Sequence, residues 1–207
     1  MLKYFLPALL IFVVACNQAE QDKNETNPKA VALNDSAVKL LQFSHDSISI
    51  TKAISLFEQA TKLDSSYFTA YWNKRAYEMQ IGQYDNALAA TKELIRLKPS
   101  TPDFYSSAGL ICEMKGDTIN SKKYFVQADG KYKAILDTMQ TSTRGYEMLI
   151  VGNAINVVMM GEYQKGNELL HKLYEEDADT TFRSAVSPYL DKDKKGILEL
   201  MKKKRGE

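Results

Sequence analysis

A spacing of 34 residues runs through the middle of this chain and limits its fold more than any other feature. Gly82 and Gly116 are 34 apart, as are Tyr71 and Tyr105. Ala53-x-x-x-Phe57-x-x-Ala60 returns 68 positions later as Ser121-x-x-x-Phe125-x-x-Ala128. Between them lie Gly82-Gln83-Tyr84-x-x-Ala87 and Leu97-Lys98-Pro99. A period in this range marks stacked supersecondary units, none of which can bury its apolar face alone. Such a stack is a scaffold for binding other molecules, and the spacing does not say which.

From residue 34 onward the apolar pattern is helical, without strand-like alternation between turns. Large, small, glycine and proline positions then recur in a fixed order. Tyr71, Gly82, Tyr84, Ala87 and Pro99 in one unit are followed by Tyr105, Gly109, Gly116, Phe125 and Ala128 in the next. This order resembles the tetratricopeptide repeat (TPR). The resemblance implies an all-α, right-handed solenoid of helical hairpins, with three to four TPR-like repeats and a C-terminal capping helix. The expected units are 34–67, 68–101, 102–135 and 147–180. Ala53, Ala87 and Ser121 occupy the position where the two helices of a unit cross, and a large side chain there would push them apart. The glycines end first helices in a left-handed cap, and Pro99 stops a second helix. Two residues depart from the pattern. Arg75 stands where the repeat wants a small residue, so this unit is atypical or its first helix is shifted toward Ala76. Ile48 stands where a turn glycine is expected, which suits a degenerate N-terminal repeat.

The period slips after the third unit. Apolar spacing through Tyr132, Ile135, Leu136 and Met139 predicts a second helix extended to about residue 140. Gly161-Glu162-Tyr163 and Gly166 then resume the pattern after an insertion of 11 residues. The segment from Met148 to Met160 is apolar on nearly all sides and must be covered all round. The third unit and the C-terminal helices are its expected cover, a partner helix or an acyl chain the other. Residues 181–207 are read as capping helices with a basic tail. Leu190, Lys194, Ile197, Leu198 and Met201 form one helical face, and Lys202 to Arg205 form a solvated basic end.

The N-terminus carries a separate signal. Lys3 precedes an apolar run from Tyr4 to Ala15, too short for a bilayer-spanning helix of roughly 20 residues. Val13-Val14-Ala15-Cys16 resembles the bacterial lipobox. The resemblance implies a signal peptide over 1–15 and a lipidated Cys16, with a flexible polar tether over 16–33. It places the protein in the bacterial cell envelope as a membrane-anchored lipoprotein. Asn17 after the cysteine favours the outer membrane, with the periplasmic or surface face left open. Cys16 thereby leaves Cys112 without an intramolecular disulfide partner, and its apolar helical setting reads as a buried structural thiol. The formal net charge is +1, and without Lys3 the balance is 26 basic against 26 acidic residues. That neutrality provides no electrostatic footprint for nucleic acid.

Motifs that carry chemistry are missing: there is no GxSxG, HExxH, CxxC or phosphate-cradling glycine loop. His45 and His171 fall in different units, neither with a metal-like partner at helical spacing. No enzyme, metal site or cofactor is expected. The resemblance to the repeat family implies instead a concave groove lined by first helices, formed by Thr69, Trp72, Ala76, Met79 and Gln80, with Asp103, Ser106, Leu110, Glu113 and Met114. Trp72, the one tryptophan of the chain, is either an exposed anchor in this groove or a packing residue against the neighbouring unit. The chain is thus read as a scaffold, monomeric by itself, that holds a protein or peptide partner. The alternative is a lipoprotein that binds a small ligand for a transporter.

Overall fold

The computed structural model describes residues 26–44, 46–176 and 179–203. The expected leader, Cys16 and the tether up to residue 25 lie outside these, as do His45 and the last residues of the basic tail. The described chain is all-α. Helices α1 (Pro28–Phe43), α2 (Ser47–Leu63), α3 (Phe68–Gln80), α4 (Tyr84–Leu97), α5 (Pro102–Met114) and α6 (Thr118–Leu136) come first. They are followed by α7 (Tyr146–Met159), α8 (Tyr163–Glu176), α9 (Thr180–Val186), a 3-10 turn (Ser187–Tyr189) and α10 (Lys194–Lys203). Two compact units divide within α6, the first ending at Ser121 and the second beginning at Lys122.

In the first unit consecutive helices pack in turn, α1 on α2, α2 on α3, α3 on α4 and α4 on α5. The periodic positions account for the tightness of the packing. Ala53, Phe57, Ala60 and Ala87 are fully buried, and Ser121 likewise. Three turns share one construction. Gly82, Gly116 and Gly161 have φ of +73°, +77° and +97°. In each, the glycine N–H donates three residues back (to Met79, Glu113 and Val158), and the next N–H donates five back (to Glu78, Cys112 and Val157). This pair of bonds satisfies carbonyls that a helix end would leave orphaned, and the left-handed φ it requires is the one glycine adopts without strain.

The N-terminal hairpin corrects the expected boundaries. Composition predicts a tether running to residue 33, but α1 begins at Pro28. Asn27 caps it by accepting from Lys29 N–H, Pro28 fills the first turn, and the Asn27 N–H donates to Asp64 Oδ2 at 2.9 Å. Ala30 then packs with Ala60 and Ala70. Nor does Ile48 occupy the turn. The chain reverses through extended Ser44 and the N-cap Asp46, and Ile48 sits exposed in the first turn of α2.

In the second unit α7 packs on α8, α8 on α9, and α10 on α7. Ten of the fourteen residues of α7 are buried, with Asn156 donating to the Phe125 carbonyl of α6 at 3.0 Å. Gly166 lies where α8 crosses α7. A Cβ there would collide with the Val158 side chain and come within 2.7 Å of the Ala154 carbonyl oxygen. α6 ends at Leu136, short of the extension to about residue 140 that its apolar spacing predicts, because Thr138 N–H turns back three residues to Ile135 and Met139 N–H closes on the same carbonyl in the turn that follows. At the C-terminal end, α9 and the 3-10 turn come first and α10 starts at Lys194, so Leu190 precedes the helical face that the apolar spacing assigns to it. Ile197 is fully buried, and Leu198 and Met201 are half-buried.

Candidate functional site

The first helices α3 and α5 carry the residues expected to line a groove, and both belong to the first unit. Thr69 and Gln80 are exposed. Trp72, Met79, Leu110, Glu113 and Met114 are half-buried. Ala76, Asp103 and Ser106 are buried, leaving little of their surface for a partner. Glu113 accepts a hydrogen bond from the Ser121 hydroxyl, which ties the end of α5 to the start of α6.

Trp72 lies at the centre of an aromatic cluster. Phe68, one turn earlier, stacks on it at 6.2 Å, and Phe104 of α5 meets it edge-on at 5.9 Å. The Arg75 guanidinium covers the ring at 4.3 Å, and Lys98 lies 4.5 Å over Phe68. The indole therefore packs against the neighbouring repeat and still keeps part of its surface open. Aromatic pairs of this kind add about 0.5–1.5 kcal/mol each beyond their area, so the cluster strengthens the packing of α3 on α5.

Arg75 is the residue that breaks the repeat pattern, and it holds the middle of the site. It is 8% exposed and donates from Nη1 to Ser107 Oγ of α5 at 3.0 Å. Burial lowers its pKa to about 10, against the nearby Asp103 carboxylate, which favours the charged form. The run Ser106-Ser107-Ala108-Gly109 on α5 is small and buried throughout, which leaves room for a long side chain from α3. A second polar contact links first helices: Asn73 of α3 donates to Asn34 Oδ1 of α1 at 2.9 Å. The repeat pattern assigns none of Asn34, Asn73 and Ser107 to the site. The sequence signal that could have found two of them is the 34-residue step from Asn73 to Ser107.

Elsewhere, Cys112 is fully buried and its thiol is pushed up by burial. His171 Nε2 pairs with Asp191 Oδ1 at 2.9 Å, joining α8 to the turn before α10. An open crevice of about 450 Å³ in the second unit is lined by Val158, Gly161, Tyr163, Lys194 and Leu198, among others. Among the described residues no group of His, Cys, Asp or Glu is arranged to hold a metal ion. None of the described helices is long and apolar enough to cross a membrane.

Solved structures share this fold. PilW, a widely conserved type IV pilus biogenesis factor, superposes with a TM-score of 0.52 at 14% identity, over 86% of this chain and 77% of that one. MamA aligns over 72% of this chain and 79% of its own, at 15% identity and a TM-score of 0.49. YrrB, a TPR protein with an unusual peptide-binding site, aligns over 85% and 84%, at 15% identity and a TM-score of 0.47. No protein-family model and no curated protein matches the chain. At such identities the likeness is one of fold alone, a stack of packed helical hairpins.

Proposed function

We propose that this protein is a non-enzymatic scaffold of the bacterial cell envelope, anchored by lipid on Cys16. On this reading it holds a protein or peptide partner along the α3–α5 face. The observation that carries the reading is Trp72, fixed by Phe68, Phe104 and Arg75 yet only half-buried. A preordered aromatic with open surface is the kind of residue that dominates interfaces, because little side-chain entropy remains to be lost on binding. Half-buried Met79, Leu110 and Met114 on the same helices offer adaptable apolar contact beside it. The fold shared with PilW, a pilus biogenesis factor, is compatible with an assembly role in the envelope and does not specify one.

A photo-crosslinking amino acid placed at exposed Gln80 or Thr69 tests this in the lipidated protein in its native envelope. Crosslinks to a discrete protein from these positions, absent when the probe replaces exposed Lys62 on α2, are the expected result. Trp72→Ala should abolish the same crosslinks while circular dichroism shows the helices intact. Equal crosslinking from both faces would sink the groove assignment.

A further inference from the structure

Glu78 is the most completely buried carboxylate of the described chain, 1% exposed, and one of its oxygens has no hydrogen-bond partner. It lies in α3, three residues after Arg75 and next to Met79 and Gln80. The charges acting on its carboxyl are Lys74 of its own helix, with Nζ at 3.7 Å, and Glu58 of α2. Glu58 is itself held by Lys62 at 2.7 Å. On its other sides α3 packs on α4, whose charged residues are Asp85, Lys92, Glu93 and Arg96, and it meets α1 through Asn73 and Asn34, and α5 through Arg75, Ser107 and Asp103. A loose ion pair, a like charge and an unpartnered oxygen leave the ionised carboxylate poorly compensated. Two events relieve it, uptake of a proton or outward movement of α3 that lets water in.

We propose that the buried Glu78 carboxyl makes the packing of α3 on α2 sensitive to pH, so that protonation tightens the helix carrying Trp72, Met79 and Gln80 and deprotonation loosens it. The sign follows from the environment. Burial is the main cause and Glu58 adds to it; against the opposing pull of Lys74, they raise the carboxyl from 4.5 to about 7. A carboxyl raised in the closed state stabilises that state fully below about pH 4.5, and the contribution is lost as pH rises through about 7. This sensitivity belongs to the α2–α3 contact, whatever the groove binds.

Hydrogen exchange of the α3 amides between pH 6 and 8, corrected for intrinsic rates, reads the effect directly. Protection of Tyr71 to Gln80 should be about tenfold greater at pH 6 than at pH 8, as the linkage relation gives for these titration points. Glu78→Gln should remove the slope and hold α3 near its low-pH protection, which separates Glu78 from every other titrating group. Side-chain carbon NMR of the wild-type protein should place the Glu78 midpoint near neutrality, and Glu58→Gln should lower it. A wild-type midpoint below pH 5, or an α3 slope unchanged in Glu78→Gln, would overturn the proposal.

Discussion

Single atoms decide stability at two glycines, in opposite directions. At Gly166 an added methyl would meet the Val158 side chain and the Ala154 carbonyl oxygen. The oxygen belongs to helical backbone and cannot move aside, so Gly166→Ala should cost about 1–3 kcal/mol in urea unfolding. Gly130 is exposed in the middle of α6, and an added Cβ there would have nothing within 4 Å. The same change at this position should gain about 0.5–1 kcal/mol, because glycine only adds unfolded-state freedom. Arg75 presents a third case. Removing its charge takes one favourable neighbour from the buried Asp103 carboxylate and the donor from Ser107. Arg75→Met should therefore cost about 3 kcal/mol, and the double variant with Asp103→Asn should recover most of it. Additive losses in that cycle would mean the two groups do not interact.

Elements in this chain begin and end on short local signals, and these are unevenly legible. The three glycine turns are readable because a left-handed φ leaves a residue type in the sequence. The start of α1 is not, because a polar composition from residue 17 onward looks like one continuous tether. What orders it is Asn27 and Pro28 locally, and Asp64 from 37 residues away. Asn27→Ala should cost about 1 kcal/mol and speed amide exchange in the first turn of α1, with α4 unaffected. The end of α6 is harder to place, since its apolar spacing runs on to Met139 but the helix stops at Leu136, where Thr138 N–H donates only three residues back, to Ile135.

At the scale of the whole molecule, the proposed function joins a repeat scaffold to a lipid anchor. Cys16→Ser should release the protein from the membrane fraction and remove the mass of the acyl chains; persistence in that fraction with unchanged mass would rule out the anchor. The fold class is legible in the sequence because helix crossings demand small residues and glycine turns at a fixed period, and those demands fall on residue types. The groove is legible only in outline. Its helices follow from the period, but the exposure of each side chain depends on the neighbouring repeat. Ala76, Asp103 and Ser106 share the expected face and are buried there, while Arg75, the apparent misfit, crosses to Ser107. Residue types alone specify the repeating hairpins, their turns and the small residues at their crossings, since each is a local steric requirement. It takes the packed helices to show that Trp72 is both held and open, that Arg75 belongs at the centre of the site, and that Glu78 is buried beside it. Those properties come from distances between helices, and no residue type records them.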